Sequence, residues 1–330
     1  MIMQSNSPIY KAQTIGNIEP IEYMIPYPST QAIVEGQIIK YKNEKVFKDY
    51  GLTNIDFFNS IQRMSNWLND QGVLPKDRVV IDDNSFLNSI LLLYGLWHIG
   101  AVAVFFEEEN HSPKKKLNVK YLNYSGDLIK IVESHSSHFI PKYKPLLNDD
   151  AIVVVSNDKT VFLSHYGLLV NANGLQKLLN LKKQQSFFCN IKPKTSFWVV
   201  LCAILPIYAM ATFTSKSPSI LLTYDDIDIK DGFKLREDWI DIDNYEVNEL
   251  ALCKENSAIL TLNNNSIHLT DYKIIEDELW LKGHSLMNGY FEKDKMDFKD
   301  NYLIKSYYNL LYEIKTLSFF SSIIFYNILI

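Results

Sequence analysis

Residues 72–106 read GVLPKDRVVIDDNSFLNSILLLYGLWHIGAVAVFF, and this stretch decides the fold class. Gly72 to Asp77 carries the glycine and proline of a turn. Arg78 to Ile81 is a short apolar strand, Asp82 and Asp83 make an acidic turn, and Asn84 to His98 is an apolar helix with Asn84 as its cap. Gly100 stops the helix and Ala101 to Phe106 follows as a second strand. That strand is almost wholly apolar, as a parallel strand covered on both faces requires. The unit is β-α-β.

On its N-terminal side, Phe57, Phe58, Ile61, Met64, Trp67 and Leu68 recur at helical spacing, so Asn54 to Gln71 is a helix capped by Thr53 or Asn54 and stopped by Gly72. Further back, Ala32 to Val34 and Gln37 to Tyr41 around Glu35-Gly36 have a hairpin signature. Downstream, Asp127 to Val132 is expected to be a strand and Pro141 to Pro145 a loop. Ala151 to Val155 and Val161 to Leu163 are strands, and Ser164-His165 opens a helix with Leu168, Leu169, Ala172, Leu175, Leu178 and Leu179 on its apolar positions. His165 is a structural residue of that helix start. Phe197 to Met210 is a helix that Pro206 should kink.

The 330 residues carry a formal net charge of -5, which argues against a general nucleic-acid binder, because such proteins need a clustered basic face. Lysines at 114–116 and within 181–194 are solvated loop charge. Cys189, Cys202 and Cys253 stand far apart, in no metal-ligand spacing, which suits a reducing, cytoplasmic setting. No signal peptide is apparent at the start. The uncharged runs 84–106 and 197–214 are broken by Gly100 and Pro206, and mean hydropathy is -0.08, so both are expected in a core. The apolar run Thr316 to Ile330 is shorter than the ~20 residues that span a bilayer and is the one place for a membrane tether. His111, His135 and His138 form no ligand set. Tyr224 to Asp238 imitates a calcium loop from Asp226, with Asp228 third and Glu237 twelfth, but Lys230 and Asp231 break it.

Gly72-Val73, Lys76-Asp77-Arg78-Val79, Asn84-Ser85 and Gly100-Ala101-Val102 resemble, in spacing and identity, the adenylate-forming enzymes, the AMP-dependent synthetase and ligase family that includes acyl-CoA synthetases. Val161 to His165 with Leu168, and Leu281-Lys282-Gly283-His284-Ser285-Leu286-Met287-Asn288-Gly289-Tyr290-Phe291, are similar to two further elements of that family. The resemblance implies an α/β fold, a layered parallel-sheet domain with a smaller β-rich C-terminal portion. It divides the chain into a partial α/β core (1–215), an acidic linker (216–247) and a β-rich portion with an apolar tail (248–330), the family's C-terminal lid domain being absent. The span after the core is expected to be too short for the family's second α/β half.

The implied activity is ATP- and magnesium-dependent activation of a carboxylic acid to an acyl-adenylate, with transfer to a thiol such as CoA. Several of the family's motifs are altered. A phosphate cradle needs glycines and free N–H groups, yet Val155 to Val161 has no glycine. Ser156, Lys159 and Thr160 remain there as the vestigial nucleotide-binding candidates. Nothing matches the family's Tyr-Gly-x-Thr-Glu motif, and Lys305-Ser306-Tyr307 stands in place of its Thr-Gly-Asp. No catalytic residue and no metal ligand is assigned. The expectation is a degenerate, non-adenylating protein that keeps an acyl or carboxylic acid pocket or partners a complete family enzyme. The alternatives are a divergent acid-thiol ligase whose Ser156, Lys159 and Thr160 hold phosphates, and a protein tethered to a membrane by 316–330.

Overall fold

The computed structural model describes residues 6–82, 85–107, 117–124, 126–156, 159–226, 232–239, 242–244, 246–291 and 296–306. Asn84, His111, the 114–116 lysines, Asp228, Lys230, Asp231 and the run 316–330 lie outside the described residues. Helices α1 (Pro8–Gln13) and α2 (Thr30–Tyr41) lead into β1 (Lys45–Phe47), β2 (Leu52–Thr53) and α3 (Asn54–Asp70). Then come β3 (Arg78–Val80), α4 (Phe86–Ile99), β4 (Val102–Phe106), β5 (Val119–Lys120), α5 (Leu128–Glu133), β6 (Asp150–Val155), β7 (Thr160–Ser164) and α6 (His165–Leu178). After β8 (Ser186–Cys189), a helical stretch comprises α7 (Ser196–Trp198), a π-helical turn (Val199–Ile204) and α8 (Leu205–Tyr208). Strands β9 (Thr212–Phe213), β10 (Ile220–Thr223), β11 (Gly232–Arg236), β12 (Glu249–Leu252), β13 (Ile259–Leu262) and β14 (Asn265–Ser266) follow. The last are β15 (Thr270–Ile275), β16 (Glu278–Gly283), β17 (Gly289–Tyr290), β18 (Asp297–Lys299) and β19 (Tyr302–Ser306).

The expected local signals set the helices. Thr53 and Asp56 close a capping box at the start of α3, the Asp56 N–H reaching Thr53 Oγ1 at 3.3 Å and the Thr53 N–H reaching Asp56 Oδ2 at 3.1 Å. Ser164 caps α6 through the Gly167 N–H at 3.1 Å. Gly100 ends α4 with φ 86°, and a Cβ there would stand 2.6 Å from the Tyr143 ring.

Six strands form one sheet in the order β17-β7-β6-β4-β3-β5, parallel from β6 to β5. Nine form a second in the order β14-β13-β12-β11-β10-β8-β9-β1-β2, parallel from β12 to β1. The third is a four-stranded antiparallel sheet, β15-β16-β19-β18, which is the smaller β-rich portion. α4 is buried from Ser89 to Ile99. It ties the layers together, with Trp97 Nε1 donating to the Ala151 carbonyl on β6 at 2.9 Å and the Tyr94 hydroxyl to the Ala203 carbonyl of the π-helical turn at 3.0 Å. The described part of the uncharged run, 85–106, is thus a core helix entering a core strand, and no described helix is long and apolar enough to cross a membrane.

Three expectations are corrected. Residues 32–41 are not a hairpin but helix α2, capped by Ser29; Gly36 is there because Tyr27 packs on the helix, where a Cβ would lie 2.8 Å from its ring. Asp127 to Val132 is helix α5 rather than a strand, because the Asp127 carboxylate accepts the Ile129 N–H at 3.0 Å and starts a helix. Pro206 stands in the first turn of α8, directly after the π-helical turn in which the Leu205 N–H reaches back to the Val200 carbonyl, so the helical stretch is interrupted where the proline falls. Where a linker was expected over 216–247, β10 and β11 add two parallel strands to the larger sheet, the rest of which comes from earlier and later in the chain. Their four and five residues are too short to show as periodic runs, and Asp225 and Asp226 occupy the turn after β10.

His98 and His165 are buried and neutral. Gln62 accepts the Phe139 N–H at 2.7 Å and therefore presents its amide to His98 Nε2 at 2.6 Å, while His165 Nδ1 lies 2.7 Å from the Thr30 hydroxyl. Burial pulls both pKa values down to about 4 from 6.5. The unfolded chain therefore binds their protons first, and the stability they contribute is complete above pH 6.5 and lost as pH falls towards 4. Urea unfolding at pH 7 and pH 5 should differ by roughly 2 kcal/mol for each histidine, and His98→Asn should remove its share of the slope.

Candidate functional site

In open α/β sheets the ligand crevice lies outside the carboxyl ends of the parallel strands. Here those ends converge from both large sheets. β4 delivers Glu107, β6 delivers Ser156, β10 Tyr224, β11 Glu237 and β12 Lys254. Lys254 Nζ joins three of them, 3.1 Å from Glu107 Oε2 and 3.1 Å from Ser156 Oγ, and the Tyr224 hydroxyl donates to Glu237 Oε1 at 2.7 Å.

The turn between β12 and β13 forms the floor. Asn171 on α6 holds it in place, donating to the Asn256 and Ile259 carbonyls at 2.7 and 2.9 Å and accepting the Ile259 N–H at 3.1 Å. The turn carries Glu255, which is fully buried. Its Oε2 accepts from Lys305 Nζ on β19 at 2.9 Å and from Cys253 Sγ at 3.4 Å; its Oε1 accepts from the Tyr290 hydroxyl on β17 at 3.0 Å. Burial by itself would raise the Glu255 pKa. The positive charge of Lys305, then Lys159 and Lys254, outweighs it and holds the carboxyl well below the usual range. Lys305 is fixed as an ammonium: burial opposes its charge, but Glu255 raises its pKa above the ordinary lysine value. Burial, followed by the charge of Glu255, pushes the Cys253 thiol up to about 12, so it is no nucleophile. Burial likewise raises the Glu107 pKa against the pull of Lys254.

The three sequence candidates come together beside this cluster. Ser156 and Lys159 close the hairpin from β6 to β7, with the Ser156 N–H and hydroxyl both donating to the Lys159 carbonyl at 2.9 Å. Lys159 Nζ lies 5.1 Å from the centre of the Tyr290 ring, and among the described residues no carboxylate stands within salt-bridge distance of it. Thr160 Oγ1 is buried without a hydrogen-bond partner among the described residues. His165, on the far end of β7, takes no part; His135 lies elsewhere, 3.5 Å from Asp70.

Sequence reasoning missed Glu107, Lys254 and Glu255, and gave Tyr290 and Lys305 no role. One signal was present: Lys254-Glu255 is the one charged pair in a mostly apolar run from Leu250 to Leu262, which also holds Asn256, Ser257 and Thr261. Charges in such a run are buried, and buried charges need partners.

No family model matches the chain, and no curated protein does. Solved structures do. An anthranilate CoA ligase in complex with anthranoyl-AMP is 14% identical with a TM-score of 0.67, over 86% of this chain and 74% of that one. The unliganded O-succinylbenzoate CoA synthetase of Bacillus subtilis is 11% identical with a TM-score of 0.64, over 83% and 75%. The inhibitor-bound N-terminal domain of FACL13 from Mycobacterium tuberculosis is 12% identical with a TM-score of 0.66, over 84% and 95%.

Removing Lys305 leaves Glu255 charged and unpaired. Lys305→Met should cost about 3–5 kcal/mol in urea unfolding, and adding Glu255→Gln should restore much of it. The sign with pH is set by Glu255: its contribution is present above its unfolded pKa of 4.5 and is lost as pH falls towards the much lower folded value. The layered sheets, the crevice at their strand ends and these similarities agree: the chain has the fold of the adenylate-forming AMP-dependent synthetases and ligases.

Proposed function

We propose that this is a non-adenylating protein of the adenylate-forming fold, which uses the crevice to bind a carboxylic acid or acyl ligand, or works beside a complete adenylating enzyme in the cytoplasm. One observation carries the reading. A phosphate cradle holds its ligand with backbone N–H groups and hydroxyls turned towards the oxygens. At this place Ser156 turns both its N–H and its hydroxyl onto the Lys159 carbonyl, so the loop closes as a hairpin. The crevice lysines Lys254 and Lys305 are likewise engaged by Glu107 and Glu255. With folded protein, ATP and a panel of aromatic, short-chain and long-chain acids, pyrophosphate release should stay at the level of a no-protein control. Release with any acid overturns the proposal.

A second reading rests on the unpartnered Thr160 hydroxyl and on Lys159, whose ammonium meets no carboxylate among the described residues. Together with Ser156 they would contact the phosphates of ATP in a divergent acid-thiol ligase. On that reading Lys159→Ala abolishes ATP binding in a calorimetric titration; on the first there is no ATP binding to abolish.

A further inference from the structure

Adenylate-forming chemistry brings magnesium with its nucleotide, and the crevice is a poor host for it. Mg2+ demands near-octahedral oxygen ligands, usually one or two carboxylates together with water and phosphate. Of the three crevice carboxylates, Glu107 and Glu255 are engaged by lysine, and Glu237 accepts from the Tyr224 hydroxyl at 2.7 Å. Glu107 Oε2 is 3.1 Å from Lys254 Nζ. Glu255 is fully buried, with one oxygen on the Tyr290 hydroxyl and the other on Lys305 Nζ and the Cys253 thiol. Lys159 and Lys254 add further positive charge around it. A dication placed there meets ammonium groups at close range, and among the described residues no group of three His, Cys, Asp or Glu could hold a metal ion.

We infer that the Lys305 ammonium is the permanent counter-ion of Glu255, occupying the position a cation would take, so that the crevice is metal-independent and an anionic ligand entering it meets the Lys159 ammonium rather than a metal ion. The inference rests on reading the crevice as the binding site, and not on whether the chain adenylates. The arrangement is built in rather than incidental, because the ion pair has hydrogen-bonding partners on both carboxylate oxygens and joins strands of different sheets.

The test uses the full chain with Mn2+ alone as the probe, at millimolar concentration, read by thermal unfolding and by water proton relaxation. The wild-type melting temperature should not move, and no relaxation enhancement should appear. In Lys305→Ala the carboxylate loses its counter-ion, and Mn2+ should raise the melting temperature by about 2 °C or more. Adding Glu255→Gln should abolish that rise. Should Lys305→Ala fail to fold, Lys305→Gln keeps a hydrogen-bond donor near Glu255 without the charge and is held to the same outcome. Mn2+ stabilisation of the wild type that Glu255→Gln removes would overturn the inference. So would a folded Lys305 variant that gains nothing from Mn2+. Pyrophosphate release by the wild type that persists in EDTA, by contrast, defeats the proposed function and leaves this result untouched, whereas release that requires a divalent cation defeats both.

Discussion

Three sheets meet on one carboxylate. Glu255 comes from the turn between β12 and β13 of the nine-stranded sheet, Tyr290 from β17 at the edge of the six-stranded sheet, and Lys305 from β19 of the four-stranded sheet. Taking a carboxylate and an ammonium out of water costs several kcal/mol for each ion, and their attraction offsets this only when the geometry is good and the remaining valences are satisfied. The junction is therefore intolerant of displacement. A shift of β19 relative to the turn would leave two buried charges apart, so the pair fixes the relative position of the sheets more than it adds net stability.

The crevice follows from how the layers are held. α4 is buried along most of its length and must satisfy polar groups as well as fill space, which Tyr94 and Trp97 do by reaching carbonyls on two different elements. α6 does the same through Asn171, whose amide satisfies three backbone groups of the turn that carries Glu255. Backbone groups in a buried turn otherwise go unpaired at a cost of about 1–3 kcal/mol each. With both sheets anchored on shared helices, the carboxyl ends of β4, β6, β10, β11 and β12 point into a common space. Lys254 spans it because its long side chain can reach Glu107 and Ser156 across the gap.

Much of this was legible in the residues. The β-α-β unit, α3 and the β6-β7-α6 succession announce themselves through apolar runs, caps and glycine stops, all of them local signals. The misread elements fail for local reasons too. Gly36 looks like a turn residue until Tyr27 is seen packed where its Cβ would be. Asp127 has the same side chain at a helix cap as in a loop. β10 and β11 are too short to display a period. The site was harder. Ser156, Lys159 and Thr160 are contiguous and could be singled out, whereas Glu255 and Lys305 stand fifty positions apart and form a pair only through strand order. No periodicity encodes such a contact; a charged pair in an apolar run says only that a partner exists.

The closed hairpin and the lysine-filled crevice are consistent with each other. Displacement at an α-phosphate depends on positioning and on neutralising charge that arrives with the substrate. A divalent cation does this because it enters with the nucleotide, bridges two oxygens and leaves with the product. A lysine supplied by β19 cannot: it carries one charge, is tethered to the sheet, and is already compensated by Glu255. On the proposed reading, with Glu255 neutralised by Lys305, a glycine-rich cradle next to it would have no metal-bound phosphate to receive. With the Ser156 N–H and hydroxyl turned onto the Lys159 carbonyl, that residue would offer no donor to the phosphate that brings a dication in. On the proposed non-adenylating reading, each feature removes the physical reason for the other to take its usual form, so the two fit a single electrostatic arrangement.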